Sequence, residues 1–330
     1  MLEFIVPALQ NLLTIENLIW INLGVFIGSV FAAIPGLTVI LCIILFLPFT
    51  YQMTAIPGMM FLLGIYCAGG YGGSVSAILI NTPGTPHAAA TMLDGYPLNQ
   101  KGRTKAALKI ALYASTFGGI FSALMLLFLA PQVAKVAAML GTAEYFLVCL
   151  FGLTIIASLS TKDVLKGLMM GCVGLVVACI GMDPMQGVER FMFGQDSLYN
   201  GINITCALIG LFSMSQAFIL AEKAIVQRAK AAKFKDRIML SLQEMKQITP
   251  TVIRSWIIGN IIGLLPGAGA SIACFLGYNE AKRFSKHPEE FGKGSIEGIA
   301  GSEAANNAVT GGSLIPTLTL GIPGESVTAV

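Results

Sequence analysis

The chain has 330 residues, of which 55% are hydrophobic and only 11% charged, with mean hydropathy +0.78. A soluble domain carries roughly 25% charged residues, so the composition excludes an ordinary soluble globular protein and points to an all-α polytopic membrane protein. The net charge of +3 carries no signature of nucleic-acid binding.

From the N-terminus, MLEFIVPALQNLLTIENLIW holds Glu3 and Glu16 and no Lys or Arg. It lacks the positive start of a secretory signal and reads as an amphipathic helix at the membrane interface. The apolar segment Gly24–Pro48 follows, broken at Pro35-Gly36. Next comes YGGSVSAILINTPGTPHAAA, Tyr71–Ala90, an uncharged stretch of glycines, prolines, hydroxyls and amides within an apolar chain. In hydrocarbon every backbone N–H and C=O must be satisfied, so irregular backbone survives only inside protein or beside a wet cavity. Asp94, in MLDGYP, is expected to cap the cytoplasmic exit of this first hairpin.

Spans of about 20 apolar residues cross a bilayer. Four segments qualify: Ala106–Ala130, Ala143–Leu159, Val164–Met182 and Gly201–Ala221. Lys and Arg in short loops set orientation. Lys101, Arg103 and Lys105 precede the four, and Lys223, Arg228, Lys230, Lys233, Lys235, Arg237 and Lys246 follow them. Both loops are expected in the cytoplasm, and the acidic Asp183–Asn200 loop outside. The first hundred residues contain no Lys or Arg, so charge does not orient them.

The second half echoes the first. Pro266-Gly267 lies within Trp256–Leu276 as Pro35-Gly36 does within its segment. TGGSLIPTLTLGIPGE, Thr310–Glu325, then repeats the order of YGGSVSAILINTPGT: Gly-Gly-Ser, an apolar run with hydroxyls, Pro-Gly. Residues 1–105 thus form a first repeat with broken helix and hairpin, 106–221 four transmembrane helices, 222–250 a basic cytoplasmic linker, and 251–330 an incomplete second repeat. The uncharged connection after the first break and the Lys- and Arg-bearing one after the second suit inverted copies, a transporter architecture with its site at the repeat interface.

Pro-Gly within an apolar segment makes a broken helix or a re-entrant hairpin. Pro35, Gly36, Pro266 and Gly267 are the expected hinges. A half-helix beginning after such a break offers free N–H groups and a positive dipole end to an anion. The candidate carboxylate site therefore comprises Asn81, Thr82, Pro83, Gly84 and Thr85 at one tip and Pro323, Gly324 and Ser326 at the other. Ser74, Ser313, Asn306 and Asn307 join them, and Pro83 and Pro323 are expected to face one another near mid-membrane. Glu303 reads either as an ion ligand or as a residue at a helix end; a Na⁺ near Asn81 and Glu303 is the metal expectation, and no other cofactor is expected.

Seven cysteines without CxxC spacing and two isolated histidines, His87 and His287, form no metal or catalytic set. An intramembrane enzyme would need one. A passive channel would show a filter repeated within an oligomer rather than an internal duplication.

The motifs resemble those of the large membrane subunit of the tripartite tricarboxylate transporter family. The similarity rests on IPGLT at Ile34–Thr38, LPFTY at Leu47–Tyr51, YGGSVSAILINTPGTP with the following DGYPL and KG, LLPGAGA at Leu264–Ala270, and SEAANNAVTGGSLIPTLTLGIPG at Ser302–Gly324. The resemblance implies a multi-pass protein of the bacterial inner membrane that imports di- or tricarboxylates by symport with Na⁺ or H⁺. It also implies a small membrane subunit and a periplasmic solute-binding protein as partners. Family members continue well past the position of Val330, so the second repeat is expected to be truncated here.

Overall fold

In a computed structural model of the chain, the described residues are all except 1, 145, 148–149, 151–162, 184–185, 203–205, 208, 215–217 and 219–239. They fall into two compact units, Met1–Ala138 with Lys223–Val330, and Met139–Glu222.

In chain order the first unit begins with α1 (Leu2–Leu12), α2 (Ile15–Ala33), α3 (Val39–Thr50), α4 (Ala55–Ile80), α5 (Ala89–Gln100) and α6 (Thr104–Ala137). The second unit contributes α7 (Val164–Ala178), and the first resumes with α8 (Leu242–Leu264), α9 (Gly269–Phe284) and α10 (Ile296–Leu320). Among the described residues α2, α4 and α6 are long and apolar enough to cross a membrane.

The start differs from the single interfacial helix expected over the first twenty residues. The Thr14 side chain accepts the Asn17 N–H at 3.4 Å and caps a new helix, so Ile15–Trp20 already belongs to α2. In the second unit α7 stops at Ala178, short of Met182, and a small antiparallel hairpin follows, with Gly181 opposite Arg190 and Met182 opposite Glu189. Asp183 pairs with Arg190 across it at 2.8 Å. Most of the expected span Ala143–Leu159, about half of Gly201–Ala221 and all of the basic cluster except Lys246 lie outside the described residues; within Gly201–Ala221, Ile209–Met214 is π-helical.

Within the first unit, two halves share one element order. α2 and α8 end in the same way: Ile34 (φ −91°, ψ 114°) and Leu265 (φ −86°, ψ 110°) are extended, and each donates its N–H to the carbonyl three residues back at 3.1 Å. The following Pro-Gly pairs place Gly36 at φ 95° and Gly267 at φ 79°, values that favour glycine. A shorter helix follows, then a long one, α4 or α10. Each long helix closes on a left-handed residue, Asn81 (φ 55°) or Gly321 (φ 70°), a common helix stop.

The packing fixes which residues correspond. An added Cβ on Gly72 would meet Ser29 and Ala32 of α2, and one on Gly312 would meet Asn260 and Gly263 of α8. Gly28 abuts Ile65 as Gly259 abuts Ala305. Gly72 thus corresponds to Gly312 and Gly73 to Ser313, one residue out of step with an alignment on Gly-Gly-Ser. The reason is steric: the helices need a small residue where they touch, and either glycine or serine serves.

α6 packs against α10. Ala107, Ile110, Ala111 and Ala114 meet Ile299, Ala300 and Ala304, with Ile248 and Val252 of α8 completing the core. α8 itself begins at Leu242, inside the stretch read as linker. Ser241 caps it, accepting the Glu244 N–H while the Glu244 carboxylate takes the Ser241 N–H at 3.0 Å.

Asp94 lies within α5 but does not cap its own hairpin. Its Oδ1 accepts the N–H groups of Gly294 and Ser295 at 2.8 and 2.9 Å, at the start of α10. A carboxylate there satisfies orphan donors and faces the positive helix end. Asp94→Ala is expected to cost about 1–2 kcal/mol, readable as a lower unfolding temperature in detergent; an unchanged temperature would show the cap to be dispensable.

Candidate functional site

The two tips arise from helix stops. After Asn81 the chain runs through Thr82-Pro83-Gly84-Thr85 into a 3-10 turn at Pro86–Ala88 and on to α5. After Gly321 it runs through Ile322-Pro323-Gly324-Glu325. Both fold back onto their own long helices. The Gly84 N–H donates to the Gly73 carbonyl at 3.1 Å, and the Gly324 N–H to Thr317 Oγ1 at 3.3 Å. The Gly324 carbonyl accepts the Gly267 N–H at 2.9 Å, tying the second tip to the second helix break.

Unlike Gly36 and Gly267, neither tip glycine has a positive φ. They are glycines for want of space: a Cβ on Gly84 would lie 2.7 Å from Ser76 Oγ and 3.0 Å from Gly73 Cα, and one on Gly324 would lie 2.8 Å from the Ser313 carbonyl. The Gly84 and Gly324 N–H groups are also already bonded, as is that of Glu325, which donates to Thr328 Oγ1 at 3.1 Å. In this conformation those three donors serve the fold.

The candidate residues separate into groups. Asn81, Pro323 and Ser326 are exposed, while Thr82 and Pro83 are partly buried; Asn81 makes no recorded contact with Glu303. Thr85 is buried and its hydroxyl has no partner. The others join two polar clusters.

The first cluster surrounds Glu303, which sits well inside α10 and is fully buried, so the helix-end reading of this residue falls. Its Oε1 accepts the hydroxyls of Ser74 from α4 and Thr91 from α5, and its Oε2 that of Ser115 from α6 at 2.8 Å. Thr91 also meets Ser302 at 2.9 Å, and Asn307 Nδ2 donates to Ser115 at 2.8 Å. The second cluster lies where α4 and α10 meet. Tyr66 bridges the Ser313 hydroxyl, at 2.9 Å, and the Glu325 carboxylate. Glu325 also accepts the Ala270 N–H at 3.0 Å, and Asn306 Nδ2 donates to the Gly70 carbonyl at 3.0 Å.

Beside the second cluster is a small cavity of about 10 Å³, lined by Val39, Tyr66, Gly70 and His87 from one half and by Ala270, Asn306, Thr310, Glu325 and Val327 from the other. Under the correspondence fixed by the packing, Val39 matches Ala270, Tyr66 matches Asn306, Gly70 matches Thr310 and His87 matches Val327. Four of these residues from each half therefore pair with one another across the cavity. Glu325, whose counterpart is Thr85, breaks the match.

Tyr66, Thr91, Ser115, His87 and Glu325 were not singled out as site residues from the sequence. A buried tyrosine at a small-residue crossing is one retrospective signal. The hydroxyls of Thr91 and Ser115 leave none, because they come from separate helices.

The chain is thus largely helical, with three helices long and apolar enough to cross a membrane among the described residues, and with duplicated helix breaks around a small cavity lined from both halves, as expected of a multi-pass membrane protein. Residues 18–330 match the tripartite tricarboxylate transporter TctA family, and the chain belongs to it. It is 41% identical over 321 residues to an "uncharacterized 52.8 kDa protein in TAR-I ttuC' 3'region" of Agrobacterium vitis, covering 97% of this chain and 64% of that one. A second protein of that organism, in the TAR-II ttuC' 3'region, is 53% identical over 72 residues, 22% of this chain and 30% of its own. The chain thus spans less than two thirds of the first relative's length. No solved structure matches it.

Proposed function

We propose that the chain is the membrane core of a secondary transporter that imports citrate-like di- or tricarboxylates on a cation gradient. The observation that carries this reading is the small cavity lined from both halves, each of which carries a broken helix. Sites at a repeat interface beside discontinuous helices are how secondary carriers hold substrates at mid-membrane. The two halves act as inverted copies that rock about this cavity in the bacterial inner membrane. A periplasmic binding protein delivers the substrate, and a small membrane subunit completes the complex.

Carboxylate oxygens are recognised by neutral donors. Tyr66, Asn306 and Thr310 reach the cavity, and Thr85, with its unpartnered buried hydroxyl, supplies a further donor as the tips move. A space of about 10 Å³ holds about one water molecule. A tricarboxylate enters only when the halves part, so the conformation described is the closed one.

The test is uptake of labelled citrate, dicarboxylates and other organic anions by proteoliposomes of the full-length protein with its partner subunits, under imposed Na⁺ or proton gradients. Gradient-driven uptake of carboxylates is expected; uptake only of a different anion class would overturn the substrate assignment. Orientation is checked separately: cysteines replacing Gln186 or Asp196 should react with a membrane-impermeant reagent from outside, and those replacing Lys101 or Lys230 should not. Outside labelling at position 230 would reverse the topology.

A further inference from the structure

Among the described residues, Glu303 is a fully buried carboxylate whose side-chain partners are all hydroxyls. Among the described residues no Lys, Arg or His pairs with it; the titratable groups sensing its charge are Tyr71 on α4 and Cys274 on α9. A lone ionised carboxylate in so dry a place is costly unless a cation accompanies it or a proton neutralises it. Hydroxyl donors on both carboxylate oxygens suit the ionised form. Of cation and proton, the hydroxyls around both oxygens favour a cation, because each also has lone pairs with which to coordinate one.

We propose that Glu303, Ser74, Thr91, Ser115 and Ser302 form the Na⁺ site that couples transport to the ion gradient, an assignment that rests on the transport reading only for the word "couples". The donor chemistry selects the ion. One carboxylate and four hydroxyl oxygens are hard ligands, which disfavours soft metals. A single negative charge balances a single positive one, whereas Ca²⁺ and Mg²⁺ sites gather more carboxylates or retain waters.

The cage is not a demand of the repeat. The counterpart of Glu303 in the first half is Leu63, which lines an apolar groove. That half closes around its helix without a carboxylate.

The ligands come from α4, α5, α6 and α10, so filling the site draws four helices together. A chain of contacts leads from it to the central cavity. Ser115 receives Asn307 Nδ2; Asn307 Oδ1 lies against Gly70, 2.7 Å from where a Cβ on that residue would stand; and Gly70, whose carbonyl takes Asn306 Nδ2, lines the cavity. Occupancy at Glu303 is thereby felt where α4 and α10 meet.

The test is equilibrium binding of radiolabelled Na⁺ to the purified full-length complex with no carboxylate present. Saturable binding is expected in the wild type and its loss in Glu303→Gln. Ser74→Ala and Thr91→Ala, which leave the carboxylate in place, should each raise the dissociation constant about tenfold. Wild-type Na⁺ affinity in a folded Glu303→Gln protein would overturn the assignment. So would unchanged affinity in both hydroxyl variants, or a wild type that binds no Na⁺ and is driven by protons alone. Na⁺ binding that depends on Glu303 in a complex moving no carboxylate would leave the site standing and sink the transport reading instead.

Discussion

Glu325→Gln is expected to tighten carboxylate binding by about tenfold or more, because two like charges about 8 Å apart repel by about 2 kcal/mol at an effective dielectric of about 20. Glu325 lines the cavity proposed for the substrate, held by the Tyr66 hydroxyl and the Ala270 N–H. An anion entering beside it meets another carboxylate, not a cationic side chain. The wild-type protein must therefore neutralise Glu325 before or while the substrate binds, and glutamine makes that neutral state permanent. The same variant should load readily but release slowly, so uptake falls while affinity rises. Tyr66→Phe acts differently, since it leaves the carboxylate with the Ala270 N–H and the Ser313 hydroxyl with only the Thr310 carbonyl; a loss of about 1–3 kcal/mol in stability is expected. Equilibrium carboxylate binding to the full-length complex checks the first result. Unchanged affinity in Glu325→Gln would place the substrate away from this cavity.

The features legible in the sequence were those written locally. Pro35-Gly36 and Pro266-Gly267 announce helix breaks because proline removes a donor and glycine tolerates the positive φ that follows, and both breaks stand where expected. The ordered motifs announced the family, which matches residues 18–330. What escaped was set by tertiary contact. Glu303 could be suspected but not resolved, because Ser74, Thr91 and Ser115 converge on it from three helices. Asp94 looked like a local cap, yet its partners are Gly294 and Ser295, about two hundred residues away. Matching the halves by Gly-Gly-Ser gave a register one residue off, because spacing to the neighbouring helix decides the correspondence and the motif's letters do not. Gly84 and Gly324, unlike Gly36 and Gly267, are glycines for lack of room and not for a positive φ.

That last distinction makes Gly84→Val the most damaging single change expected in the first half. A side chain there has nowhere to go: the added carbons would strike the Ala32 carbonyl at the end of α2 and Ser76 and Gly73 on α4. Two of these obstacles are backbone, which cannot rotate aside. Overpacking of this kind costs about 1–3 kcal/mol, occasionally more, and here it also levers the tip off α4 and breaks the Gly84 to Gly73 hydrogen bond. Uptake should be abolished, with a reduced yield of folded protein. Gly324→Val should do the same through Ser313. Thr85→Ala is the control one residue away. Its hydroxyl has no partner in this conformation, so its loss should leave folding unchanged. On the proposed reading it removes one neutral hydrogen bond to the carboxylate, worth about 0.5–1.5 kcal/mol, or up to about a tenfold weaker affinity. The measurements are thermal unfolding, carboxylate affinity and uptake for all three variants in the full-length complex. Normal uptake in Gly84→Val would show that the tip moves freely and that its packing is irrelevant to transport. Normal affinity in Thr85→Ala would remove this residue from the site and leave recognition to Tyr66, Asn306 and Thr310.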